Sequence, residues 1–422
     1  LVGSEMCIRD RGGPLTLLPR GVHLEPHREE PLKQGIQELP KPAELWVPLV
    51  GCTVLSERLV EPGDWVDKGA PLSAPQRSVP AHAPAAGRIK EIRELPLPLQ
   101  GTVPCALLVP DWAYEGPEQK PPAQGQQEEV ISAAASAGII DEFDGLPLYK
   151  KLKRFRRRGV NLLLANAIDD DPYVASAVAV LREQPQKVAD GLAAAARACG
   201  AAECRVTASS RKEMKRVHEA CPAVEPMPAG ERYPARALLK RGLYAKGNTT
   251  GFIGVQACAA LASFLENGTP QTETVVTVAG DAVPHPYNLR VPVGTPLREL
   301  LAFCGVEGTP GACFVGSSIT GKRAPDLDAP VTLDTRCLIA LQRQPRWRTY
   351  PCIGCGSCVR ACPRGIRPWE VCDQLSRENP DPLRMVNVQH CIACAACSLA
   401  CPSGIDLVAQ MLRAAEFKKG GE

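Results

Sequence analysis

Eight of the 19 cysteines fall into two copies of one spacing near the end of the 422-residue chain. The first is Cys352-x-x-Cys355-x-x-Cys358-x-x-x-Cys362-Pro363, and the second is Cys391-x-x-Cys394-x-x-Cys397-x-x-x-Cys401-Pro402. A tight loop can aim three thiolates at three corners of an iron–sulfur cube. The fourth corner is then reached by a thiolate arriving from the other copy. The spacing predicts two [4Fe–4S] clusters. One is held by Cys352, Cys355, Cys358 and Cys401, the other by Cys391, Cys394, Cys397 and Cys362. Zinc sites usually combine Cys or Cys/His pairs in tetrahedral sets of four, which a duplicated triplet plus Cys-Pro does not resemble. Disulfides require an oxidising compartment, and no secretory leader is visible. Cys372 lies between the two runs and is left out of both sets. The other scattered cysteines read as buried, inert thiols.

Composition narrows the function classes. A formal charge of +3 is too small to argue for nucleic acid, and 5% aromatic residues give little material for base stacking. The basic run from Lys150 to Arg158 reads as a solvated helix face. No apolar stretch reaches the roughly 18 residues needed to span a bilayer. The longest, Phe252 to Leu265, reads as a buried helix, so a soluble or peripheral chain is expected. No Ser-His-Asp or Cys-His arrangement and no Gly-x-x-x-x-Gly-Lys loop occurs, so no catalytic residue is assigned. His23, His27, His82 and His285 read as turn or surface residues.

The elements that must carry this chemistry form an α+β multidomain chain. Residues 1–20 are expected to be a disordered or artefactual N-terminus. From 21 to 115, short strands punctuated by Gly and Pro predict a small β-sandwich, which resembles the barrel-sandwich, lipoyl-like domain. Pro48 places Leu45 to Val50 at a sheet edge. The hairpin Ser73-Ala74-Pro75-Gln76-Arg77 has no lysine to modify, which makes this a structural module and not a swinging arm. Residues 116–130 form a polar linker. Over 131–272, strands (Asn161 to Asn166, Cys204 to Ala208) alternate with helices (Asp171 to Arg182, Lys187 to Cys199, Arg211 to Ala220), which implies a parallel sheet with covering helices. A β-grasp module is expected at 273–343, with a helix at Pro296 to Phe303. The ferredoxin-like dicluster domain is expected at 344–416.

This order resembles the C subunit of the Rnf electron-transport complex, the RnfC-like family. Gly21-Val22-His23-Leu24-Glu25-Pro26-His27-Arg28 is similar to that family's Gly-[Ile/Val]-His-Pro-Pro-x-His-Lys opening. Gly294-Thr295-Pro296 matches its Gly-Thr-Pro, and Cys352-Ile353-Gly354-Cys355-Gly356-Ser357-Cys358 matches its Cys-Ile-x-Cys-Gly-x-Cys. The resemblance implies a complex I flavin-subunit-like domain at 131–272 and an SLBB module at 273–343. It also implies a peripheral electron-transfer subunit on the cytoplasmic face of the inner membrane. Such a subunit works within an ion-translocating oxidoreductase of NADH:ferredoxin type, beside other membrane subunits and ferredoxin or another redox protein. Two other readings stay open: a cobalamin-reductase-like flavoprotein and a non-catalytic, cluster-bearing scaffold.

The chain departs from the family where flavin and NADH would bind. The family's loop is Ala-Gly-Ile-Val-Gly-Leu-Gly-Gly-Ala-Gly-Phe-Pro-Thr, whose glycines let backbone N–H groups approach phosphate. Here it reads Ala137-Gly138-Ile139-Ile140-Asp141-Glu142-Phe143-Asp144-Gly145-Leu146-Pro147-Leu148. A carboxylate a few ångströms from a phosphate costs on the order of 1–4 kcal/mol. The family's Val-Gln-Asn-Val-x-Thr stands here as Val255-Gln256-Ala257-Cys258-Ala259-Ala260, without the Asn and Thr. The segment Asn166-Ala167-Ile168-Asp169-Asp170-Asp171-Pro172-Tyr173 keeps a likeness to Asn-Gly-Ala-Glu-Cys-Glu-Pro-Tyr. Asn166, Asp169 and Asp171 are therefore the flavin candidates, with acids suited to a helix N-terminus as the alternative. FMN and NADH binding are expected to be weakened or lost.

Overall fold

The computed structural model describes residues 20–50, 57–74, 78–114, 116–122, 127–223, 225–344, 348–377, 385 and 387–419. Of the disordered N-terminus expected at 1–20, residues 1–19 lie outside the described residues, as do Pro75, Gln76 and Arg77 of the hairpin, whereas Arg20 is placed by a hydrogen bond to the Cys362 carbonyl. By contacts the chain divides into two units. One comprises Pro26–Ala229 and Leu243–Gln344, the other Leu1–Glu25, Gly230–Gly242 and Pro345–Glu422.

Three sheets of four or more strands, with the two-stranded pair Glu57–Arg58 and Ser73–Ala74, build the larger unit. In the first, strands run in the order Leu45–Pro48, Gly101–Pro110, Gly87–Leu97, Trp65–Val66, with antiparallel pairing throughout. Leu45, Val47, Ile89 and Leu108 fill its inner face. The strand with Pro48 does lie at the edge, where a missing N–H leaves no gap in a ladder. The second sheet is wholly parallel, ordered Pro226–Pro228, Glu203–Ala208, Leu162–Ala167, Thr250–Gly254. Among the helices beside it are Pro185–Cys199 and Val255–Asn267, packed on a shared Ala- and Val-rich core. The third sheet has six strands, running from Lys322–Arg323 through Ala312–Val315, Cys337–Leu341, Glu273–Ala279 and Tyr287–Pro292 to Gln37–Glu38. Helix Leu297–Phe303 covers its core.

Helix Gln127–Ser136 takes up the end of the linker expected at 116–130, with Val130 buried in the α/β core, and three further expectations change in the structure. Phe252 to Leu265 is not one helix: Thr250–Gly254 is a strand paired with Leu162–Ala167, and the helix is Val255–Asn267. An apolar run of this length carries no period that separates the two states, and Gly254 is where the chain turns. The helix expected from Asp171 begins at Ser176, because Tyr173 takes a left-handed φ of 70°. Asp169, Asp170 and Asp171 thus lie ahead of the helix, not in its first turn. Within the basic helix Leu148–Arg157, Lys151 is buried while most of its charged neighbours face water.

In the smaller unit, Val22–His23 pairs with Arg232–Tyr233. Helices Ser357–Ala361, Pro368–Leu375, Ala396–Leu399 and Leu407–Lys419 frame the cysteine loops. Ile366, Val371, Val388 and Met411 form part of its core. No described helix is long and apolar enough to cross a membrane.

Candidate functional site

The two cysteine loops share a backbone solution. Gly354 and Gly356 have φ of 68° and 72°, and the corresponding Ala393 and Ala395 have φ of 52° and 56°. Left-handed residues at both spacer positions curl the loop so that its sulfurs point inward. An alanine there costs roughly 1–2 kcal/mol against a right-handed conformation, so something else holds the second loop in shape. Each loop then enters a short helix, Ser357–Ala361 or Ala396–Leu399, which carries the third cysteine and leads to the fourth.

The structure brings the eight cysteines together in two groups of four. Cys362, Cys391, Cys394 and Cys397 line one cavity, walled by Ile366 and Met411. Cys352, Cys355, Cys358 and Cys401 line another, walled by Trp369 and Leu407. The two groups differ in solvent access. Cys352 and Ile353 are exposed, whereas Cys362 and Cys397 are buried. Every described cysteine is free of disulfides.

Among the described residues, no group of three or more ligand-type side chains converges closely enough to grip a single metal ion. A cubane takes its four thiolates from around a cavity, and four cysteines line each cavity here. The chemistry of the donors fits as well. Burial, and then the neighbouring thiols, push Cys397 up to about 12 and Cys394 up to about 11. Packed this way, the sulfurs resist becoming thiolates until a cationic core arrives to balance them. In the other group burial also opposes ionisation of Cys355. The Ser357 hydroxyl and amide and the Arg360 charge outweigh it and lower the thiol. Cys372 rises to about 11 through burial and through Cys358, Cys352 and Cys401 beside it. It is adjacent to one group without lining either cavity.

The residues that hold these loops from a distance in the chain were missed in the sequence. Arg20 Nη1 donates to the Cys362 carbonyl at 2.8 Å, Arg241 Nη1 to the Pro363 carbonyl at 3.1 Å, and the Tyr233 hydroxyl to the Cys394 carbonyl at 2.7 Å. No spacing rule points to an Arg or Tyr more than a hundred positions away. Of these, the Tyr233 bond reaches Cys394, which lies between Ala393 and Ala395, and so braces their strained turn. The other scattered cysteines within the described residues are mostly buried, as expected, while Cys7 and Cys52 lie outside them.

In the larger unit the acidic loop folds inward. Glu142 is buried against the start of helix Val255–Asn267, where the Gln256 amide donates to its Oε1 at 2.9 Å and the Ala257 amide to its Oε2 at 3.2 Å. Asp141 Oδ2 accepts from the Gly254 amide at 2.9 Å and from Lys151 Nζ at 2.6 Å. Lys151 also donates to the partly exposed Asp144 at 2.8 Å. Burial pushes Glu142 up, the Asp141 charge adds to this, and the two amides pull back, leaving it at about 8. Burial opposes the charge on Lys151, but Asp141 and Asp144 hold it above its ordinary value.

The flavin candidates have mixed partners. Asp171 forms a buried ion pair with Arg336 and accepts from Ser317 at 3.0 Å. Asp169 Oδ2 accepts from the Val178 amide at 2.9 Å, in the first turn of helix Ser176–Glu183. Its Oδ1 and the Nδ2 of Asn166 are buried without a hydrogen-bond partner. The opening motif meets this segment: His27 stacks on Tyr173 at 5.0 Å, the Tyr173 amide donates to the Pro26 carbonyl, and Arg28 donates to the Asp169 carbonyl.

A barrel-sandwich domain, a flavin-subunit-type α/β domain, a β-grasp module and a cysteine-rich dicluster region define a modular redox protein. Four families match along the chain in this order. They are the RnfC barrel sandwich hybrid domain at 17–113, the Nuo51 FMN-binding domain at 136–250, the SLBB domain at 275–312 and the 4Fe-4S dicluster domain at 351–405. The chain is RnfC-like. It is 28% identical over 83% of its length to the C subunit of the ion-translocating oxidoreductase complex of Rhodobacter capsulatus, covering 73% of that protein. It is also 28% identical over 85% of its length to the same-named protein of Pseudomonas aeruginosa, of which it covers 50%. The C subunit of the proton-translocating ferredoxin:NAD(+) oxidoreductase complex of Clostridium ljungdahlii is 23% identical, with 82% of each chain covered.

Proposed function

We propose that the chain is an electron-transfer subunit of an Rnf-type, ion-translocating oxidoreductase complex. On this reading one [4Fe–4S] cluster is bound by Cys352, Cys355, Cys358 and Cys401, and another by Cys391, Cys394, Cys397 and Cys362. The observation that carries it is that each of these sets lines a cavity of its own. Bound there, the clusters supply one-electron transfer. The chain's residues hold and shield them: Arg20, Tyr233 and Arg241 fix the loop carbonyls, and Ile366, Met411 and Leu407 exclude water from the sulfurs. The exposed edge at Cys352 and Ile353 is where an electron would enter or leave. Partners are the other subunits of such a complex, and ferredoxin or another redox protein. The location is peripheral, at the cytoplasmic face of the inner membrane.

FMN and NADH binding are weakened or lost in this reading. The phosphate end does not fit: a Cβ placed on Gly254 would meet Glu142 Oε2 at 2.0 Å, so the space beside the helix start is filled by the chain itself. No electron step is therefore routed through flavin. An anaerobic count of iron, sulfide and flavin, followed by NADH addition, tests the whole reading. About eight irons, no flavin and no bleaching by NADH are expected. Substantially fewer irons after reconstitution would overturn the cluster relay. One flavin with rapid bleaching would overturn the loss of the nucleotide site.

A further inference from the structure

We infer that Glu142 occupies the anion position at the start of helix Val255–Asn267 with its own carboxyl group, and that this occupancy keeps a nucleotide phosphate out of the α/β domain. The inference rests on the reading that flavin binding is weakened or lost, and it supplies the cause.

A phosphate at a helix N-terminus needs free backbone N–H groups and room to reach them. Here the amides of Gly254, Gln256 and Ala257 are taken and the room beside them is filled. The amides of Gln256 and Ala257 are donated to the two Glu142 oxygens, and that of Gly254 is donated to Asp141. Gly254 is the residue ahead of the helix, and its missing side chain leaves space that the Glu142 carboxyl group fills. Lys151 is the cation of this cluster that could otherwise meet a phosphate, and it is spent on Asp141 and Asp144. The arrangement is therefore more than a repulsive charge near a binding loop. The carboxyl group makes the hydrogen bonds that the phosphate would make, in the same place. A buried carboxyl beside a second acid costs the fold stability, so it is held here by the amides that receive it. Asp141 has a different job, since it balances Lys151. Glu142 is bonded by the backbone amides of the helix start and, among the described residues, by no cationic side chain.

The test uses the full chain with its clusters, titrated with FMN and separately with riboflavin, which carries the same ring without phosphate. Flavin fluorescence quenching is the readout, and a cooperative denaturant unfolding transition reports folding. The wild type is expected to give no saturable quenching. Glu142→Gly is expected to bind FMN at least about tenfold more tightly than the wild type, with riboflavin unchanged. Stoichiometric FMN binding by the wild type overturns both the inference and the weakened-flavin reading. A folded Glu142→Gly that gains nothing overturns the inference alone. If that variant does not fold, hydrogen exchange of the wild-type segment 254–258 replaces it. Slow amides that FMN does not change support self-occupancy, whereas fast amides, or amides slowed only by FMN, overturn it.

Discussion

The cysteine loops and the acidic loop at 139–146 are both short turns leading to a group that must be held against its own chemistry. They reach that end by opposite routes. Each cysteine loop is local: three sulfurs arise within seven residues at the start of a short helix, and only the fourth comes from the other copy. The acidic loop is only partly local, through Lys151 and the Phe143 amide. Its two buried acids are satisfied by Lys151 and by amides at 254, 256 and 257, more than a hundred residues away. A site whose ligands are contiguous can be read and broken residue by residue. A site assembled from distant amides is coupled to the whole domain, so its changes appear as changes in stability.

The largest effect should come from the local site. Cys397→Ser should cost roughly four of about eight irons and remove one cluster's signal by electron paramagnetic resonance, while Cys372→Ser keeps all of them. Equal iron loss in both would mean that the two cavities do not define the ligand sets. Next comes the distributed site. Lys151→Met leaves Asp141 buried without its cation and should lower unfolding stability by about 3–5 kcal/mol in a denaturant titration. A loss under about 1 kcal/mol would place the pair in the surface class and undo the contrast between the loops.

Gly254→Ala should cost about 1–3 kcal/mol, since the new methyl group meets the Glu142 carboxyl group. The same change in a Glu142→Gly background should cost much less, which a double-mutant cycle reads directly. The pH dependence has a definite sign. Folding raises Glu142 to about 8, so between its unfolded value near 4.3 and 8 the native state binds the extra proton. Stability should therefore fall as pH rises through that window and level off above it. Asp141 and Cys258 interact with Glu142, and Asp141 is itself paired with Lys151, so Glu142→Gln should flatten the slope without reversing it. The smallest effect is expected at Ala395→Gly. It relieves a left-handed alanine but adds chain entropy, for a net change within about 1 kcal/mol.

Much of the fold is legible because its signals are local. The helix at Arg211–Ala220 and the strands Leu162–Ala167 and Glu203–Ala208 follow from apolar period and flanking turns, and the structure places them within a residue or so of expectation. The run at Phe252 misleads because a strand and a buried helix share the same apolar composition. Only the pairing with Leu162–Ala167 separates them. Lys151 looks like its neighbours because period alone does not tell which lysine of a basic helix meets an acid across the core.

The sequence by itself determined the duplicated cysteine spacing and the order of modules, since both are carried by residues close together in the chain. The tertiary structure alone decided that Arg20, Tyr233 and Arg241 hold the cysteine loops, that Arg28 and His27 meet the Asp169 segment, and that Glu142 lies on the amides of Gln256 and Ala257. The reason is physical. Backbone donors and carbonyls leave no mark on residue type, so a contact made to them has no sequence signature until folding brings the partner to it.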